Sequence, residues 1–217
     1  MVRKLLNFAA FAFVALAASA APTAVQAAAV DLKAVERAFA ATTTLQADFR
    51  QTAADGRVST GVMSLKRPGR IRFDYGKAAS FLVVADGSRL SFVDYKVSQV
   101  SEWPIKSTPL GVLLDADSDF SKVARVLPEA QSPLPGQIAV EAQDPNHPES
   151  GRITFFVKPD SKAPGGLLLT GWRVTDAQNN LTVVELSNSR FNQPLADSLF
   201  RYRDPRRGRS TPPGKAG

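Results

Sequence analysis

From Asp31 onward, the spacing of apolar and polar positions changes period once and then holds. Leu32, Val35 and Phe39 recur at three- and four-residue spacing behind Asp31, a good helix N-cap, which predicts a helix over about 32–41. The period then drops to two. Leu45, Ala47 and Phe49 alternate with Gln46, Asp48 and Arg50, the pattern of a half-buried strand. Asp55-Gly56 signals a hairpin, and 58–66 returns with Gly61, Met63 and Leu65 on one face. Pro68 and Gly69 sit at the centre of a turn in the type II preference, after which Ile71, Phe73 and Tyr75 alternate with Arg70, Arg72 and Asp74.

The same alternation predicts strands at 80–85, 90–95, 97–103, 137–143, 151–158, 167–175 and 181–188, with turns at Asp86-Gly87 and Asn179-Asn180. One stretch breaks it. Thr108-Pro109 is a cap followed by proline at the first helical position, and Leu110, Leu113 and Leu114 make a short apolar helix; a second is expected over 120–127. About ten strands in hairpin succession make an antiparallel sheet long enough to curl towards a barrel. Its expected inner face carries Phe49, Met63, Leu65, Ile71, Phe73, Tyr75, Phe92, Phe155 and Trp172, with a polar outer face. The fold class is mainly β with a few helices (α+β), the helices being available to cover the apolar face.

The first residues read differently. Arg3 and Lys4 precede an apolar run over 8–18 and then small residues, the layout of a secretory signal over 1–27 with cleavage between Ala27 and Ala29. The run is shorter than the roughly 20 residues that span a bilayer. An exported, soluble protein is expected. The chain has no cysteine, which excludes a thiol nucleophile, a disulfide scaffold, a Cys-based metal site and lipidation behind the signal. Its single histidine, His147, lies in the turn-rich stretch Asp144-Pro145-Asn146-His147-Pro148, with no partner visible to make it catalytic. Asp115, Asp117 and Asp119 have the spacing of a calcium loop but lack its glycine and closing glutamate. No metal, cofactor or enzymatic activity is expected.

The formal charge of +7 adds little. Two charges lie in the first 27 residues and a net +5 in residues 199–217, leaving a neutral body and no basic stripe for nucleic acid. Beyond Pro205 the chain is rich in Arg, Pro and Gly and is expected to be disordered, ending in a basic tail over 209–217. The apolar face itself admits two readings, an ordinary core or a ligand cavity, and the pattern alone favours the core. Arg67, where a strand meets its turn, reads either as a solvated hairpin residue or as a group at the rim of that face.

An ordered set of segments changes the balance. The chain reads LKRPGRIRFDY over 65–75, Ala85-Asp86-Gly87 before a strand, WPIKSTPLGVLL over 103–114 and FRYRDPRRG over 200–208, with Gly61 before the first and Leu169-Thr170-Gly171-Trp172 before the last. In this order it resembles the LolA family of periplasmic lipoprotein carriers, over about residues 30–208. The resemblance implies an incomplete antiparallel β-barrel whose concave apolar face holds lipoprotein acyl chains under a helical lid. The lining would be the residues named above, and the lid residues Leu32, Val35, Phe39, Leu110, Leu113 and Leu114. It implies a monomer that collects cargo from an inner-membrane ABC transporter and delivers it to an outer-membrane receptor. Arg67 matches the arginine that holds the empty cavity shut, and Ile71 the position that affects docking with the transporter, where the family often has an aromatic. Two stretches depart from the family: the tail after Gly208 and the linker over 115–128. A carrier of phospholipid or glycolipid with the same fold is the first alternative. A half-barrel enzyme is the second; it would need titratable groups in the cavity, and Asp74 and Asp94 are expected to point outward.

Overall fold

Helix α1 (Leu32–Ala41) starts where Asp31 Oδ1 accepts a hydrogen bond from Ala34 N at 2.7 Å, and it buries Val35, Ala38 and Phe39 on one side. The computed structural model describes residues 31–77, 79–114, 119–145 and 148–208; the expected signal segment, Asp115, Asp117, His147 and the expected tail over 209–217 lie outside them. After α1 come β1 (Thr44–Thr52), β2 (Val58–Lys66), β3 (Arg70–Asp74), β4 (Phe81–Asp86), β5 (Arg89–Asp94) and β6 (Gln99–Pro104). Two short helices follow, α2 (Leu110–Leu114) and α3 (Phe120–Val123), then β7 (Ala124–Val126), β8 (Ile138–Ala142), β9 (Arg152–Pro159), β10 (Leu167–Thr175) and β11 (Leu181–Phe191).

The strands form one antiparallel sheet of eleven, in the order β6-β5-β4-β3-β2-β1-β11-β10-β9-β8-β7. Two hairpin meanders are therefore joined by the pairing of β1 with β11, which sets Phe49 opposite Leu186 on one side and Gly61 on the other. β6 and β7 are the two edges of an open sheet, which is the incomplete barrel expected. The concave side is packed with the interior set Leu45, Phe49, Met63, Leu65, Ile71, Phe73, Phe155 and Trp172, all nearly or fully buried in one cluster with Phe39 of α1, Leu113 and Leu114 of α2 and Phe120 of α3.

Three expectations are corrected. The helix expected over 120–127 is a single turn, because Ala124–Val126 is taken as a strand by β8, with Ala124 opposite Ala142 and Val126 opposite Val140. Pro205–Gly208 is a turn of 3-10 helix beside β6, so the ordered chain continues past Pro205.

The third correction concerns the outer face. Leu82, Val84 and Val93 point to the convex side and are buried there under Phe200, with Leu195, Leu199 and Tyr202 around them. The covering segment, residues 192–208, is a strap returning over β3–β6. Lys66 Nζ donates to Leu195 O at 2.8 Å and to Asp197 Oδ1 at 2.5 Å, and Arg70 reaches the same carboxylate at 3.2 Å. Arg72 donates to Leu199 O at 3.3 Å and to Arg201 O at 3.4 Å. The outward cations of β2 and β3 thus act as fasteners for the strap.

Candidate functional site

An aromatic row runs through the concave face. Trp172 meets Phe73 at 6.1 Å between ring centroids, Phe73 meets Phe49 at 5.3 Å, and Phe49 meets Tyr75 at 5.1 Å. Tyr75 meets Phe81 at 4.5 Å and Phe81 stacks on Phe92 at 5.8 Å. The first three pairs are edge-to-face, the arrangement favoured by the ring quadrupole. The row starts fully buried and ends in water: Trp172 is 2% exposed and Phe92 37%. Phe92 lies opposite Val83, itself opposite Phe73, so it does belong to the concave face. It stands beyond the lid, at the open end of the lining.

The other end is covered. Phe39 of α1 drops its ring edge-to-face onto Phe155 of the sheet and Phe120 of α3, both at 5.5 Å. Glu36 Oε1 accepts from Phe120 N at 2.8 Å, tying α1 to α3. Leu113 and Leu114 of α2 are 1% exposed, and Leu32 and Leu110 are half-buried against the same cluster. Gly165 lets α1 come this close. Its φ is +66°, and a Cβ there would lie 2.5 Å from Ala38 Cα. The void left among Phe39, Leu45, Leu65, Leu113, Leu169 and Phe191 is about 20 Å³, room for roughly one water. The apolar face is therefore plugged by the protein's own lid.

Arg67 sits at the seam. Its Nε donates to Thr42 O at 3.1 Å, its backbone N donates to Thr43 O at 2.9 Å, and its guanidinium lies 5.6 Å from the centre of the Phe39 ring. Two residues on, Gly69 N donates to Leu114 O at 2.9 Å. The β2–β3 turn consequently holds the two carbonyls that follow α1 and the last carbonyl of α2, groups that no intrahelical donor can reach. Such bonds from a charged donor are worth about 1.5–3 kcal/mol each.

Ile71 is fully buried, opposite Leu65 on one side and Ala85 on the other, on the concave face. Asp74 alternates outward and is bonded to Arg72 and to Gly76 N. Asp94, expected outward, shares by register the face of Phe92; its carboxylate turns away into the β5–β6 turn, accepting from Lys96 N at 2.8 Å. Among the lining residues Tyr75 is titratable: burial, partly offset by its bond to Gln51, pushes its pKa up to about 12, so it stays a neutral donor. No group of three or more His, Cys, Asp or Glu able to hold a metal occurs among the described residues. The site has the chemistry of an apolar container with polar fastenings at its rim.

Thr42, Gly165 and Asn192 were not singled out from the sequence. The first acts through its backbone carbonyl, the second through a contact far away in the chain, and the third is one polar residue in a polar loop, so none carries a local signal.

Comparison with known proteins agrees with this architecture. The family model described as "Outer membrane lipoprotein carrier protein LolA" matches residues 40–203. An outer-membrane lipoprotein carrier protein of Nitrosospira multiformis is 32% identical over 176 residues, covering 75% of this chain and 79% of that one. Those of Methylobacillus flagellatus and Pasteurella multocida are 25% and 28% identical, each over about three quarters of both chains.

Proposed function

The chain belongs to the LolA family of outer membrane lipoprotein carrier proteins, and from that premise we propose that it carries lipoproteins through the periplasm with their acyl chains held on the concave face. In this reading it receives them from an inner-membrane ABC transporter and passes them to an outer-membrane receptor, after export under the signal segment at its N-terminus. No helix among the described residues is long and apolar enough to cross a membrane. The observation that carries the proposal is the plugged apolar face: an interior lined by aromatic and aliphatic side chains, filled by a lid whose helix ends hang on Arg67 and Gly69.

The physics suits a carrier. Each acyl methylene transferred out of water gains ~0.8 kcal/mol, so the chains of one lipoprotein bring a large driving force for entry. To admit them, α1 must lift Phe39 off Phe155 and give up the Arg67 bond to Thr42 O. On delivery the lid closes again and regains both, which offsets part of the cost of letting the acyl chains go. A container that bound cargo without such a return would hold it too tightly to transfer.

Arg67→Leu tests the gate. The closed, empty state loses its fastening while the open, loaded state loses nothing, so uptake of a triacylated lipopeptide is expected to persist or tighten and its transfer to an acceptor to slow at least tenfold, the effect of about 1.4 kcal/mol. Arg67→Lys keeps the charge without the planar fork and should fall between. Transfer at the parent rate in Arg67→Leu would overturn the gate.

A further inference from the structure

We propose that Asn192 is a positioning residue for the lid, a brace across the pivot about which α1 opens and closes. The inference rests on the reading of α1 as a gate. Only Thr42 and Thr43 separate the last residue of α1, Ala41, from the first residue of β1, Thr44, so any swing of the helix must be absorbed there. Asn192 follows β11 directly and belongs to the sheet side, its backbone N donating to Thr44 O at 2.9 Å. Its side chain spans the pivot. Oδ1 accepts from Thr43 N at 2.9 Å and from Thr43 Oγ1 at 3.0 Å, while Nδ2 donates to Ala41 O at 3.0 Å on the helix side.

The carboxamide suits this position for three reasons. It offers an acceptor and a donor on two separate atoms, whereas a carboxylate only accepts and a hydroxyl does both from a single oxygen. It is short enough to bridge without slack. And Asn tolerates the left-handed backbone found here, φ 55°. Arg67 arrives at the same pivot from the opposite strand, its Nε on Thr42 O and its backbone N on Thr43 O. Three successive carbonyls, of Ala41, Thr42 and Thr43, are thereby held by donors from two sides of the sheet. Arg67 supplies the charged fastening, and Asn192 sets the angle at which α1 lies when fastened. The bond from Nδ2 to Ala41 O is made in the closed state and is lost when the helix lifts.

The absence of cysteine makes a direct test simple. Nitroxide labels on Arg37→Cys, on the exposed side of α1, and Lys158→Cys, at the end of β9, report the lid-to-sheet distance by pulsed electron resonance. The parent should give one short distance without lipid and a longer one after a triacylated lipopeptide is added. Asn192→Gly keeps the backbone and removes every side-chain bond, the one to Ala41 O included; Asn192→Asp keeps the acceptor but sets a carboxylate against Ala41 O. Both should show the longer distance without lipid, the open population rising about fivefold, as expected for one neutral hydrogen bond. A role confined to general stability would lower the melting temperature of these variants and leave the distance unmoved, and that result overturns the brace. If Arg67→Leu opens the lid and the Asn192 variants do not, the brace falls and the gate stands. If none of them moves the distance, the gate fails and the brace with it.

Discussion

Tyr75 shows how a single residue is tuned to an apolar container. Its hydroxyl is satisfied by Gln51 Oε1 at 2.9 Å, so the ring enters the aromatic row without leaving an orphaned polar atom. Burial holds its pKa at about 12, against 10.0 for an ordinary tyrosine. Between these values the unfolded chain releases a proton that the folded protein keeps, so the associated stability is intact below pH about 10 and falls as pH rises towards about 12. Urea melts from about pH 9 to about pH 11 should show this decline in the parent and a shallower one in Tyr75→Phe. At the same scale Arg67 was legible, because its neighbours in sequence form a distinctive string, and its bonds to Thr42 and Thr43 were not, because backbone acceptors 24 and 25 residues away leave no mark on composition.

Among elements, the lid depends on close approach and the strap on burial, and each makes a distinct prediction. Ala in place of Gly165 would set a methyl 2.5 Å from Ala38 Cα, an obstacle of backbone that no rotamer change relieves. With its φ of +66° unfavourable as well, Gly165→Ala should cost about 1–3 kcal/mol and bias α1 outward. Stopped-flow mixing with a fluorescent fatty acid should then show faster uptake than in the parent. Phe200→Ala acts on the opposite face. It removes the ring covering Leu82, Val84 and Val93 and should cost about 3–5 kcal/mol in denaturant melts while leaving fatty-acid uptake at the parent rate. Most elements could be read from period alone: α1, β2 and β10 lie where the alternation placed them. Those misread share a cause. β7 is only Ala124–Val126 and borrows its strand character from β8. The strap was missed because β4 is buried on both faces, and a continuous apolar run does not say what covers the second one.

For the whole molecule, the open sheet is what allows the interior to be both stable and exchangeable. A closed barrel would seal the aromatic row. Here the edges β6 and β7 stay unjoined, the lid fills one end, and the row runs out to Phe92 at the other. The strap, fastened by Lys66, Arg70 and Arg72, braces the convex side of the same hairpin whose turn holds the lid on the concave side. Opening the lid therefore need not loosen the sheet. In the function proposed above, this plugged face takes acyl chains when α1 lifts. Native mass spectrometry of the purified protein with a synthetic triacylated lipopeptide, beside the same peptide without acyl chains, tests it most directly. A one-to-one complex with the acylated peptide alone is the expected result; a folded protein that binds neither peptide, or both equally, would contradict it.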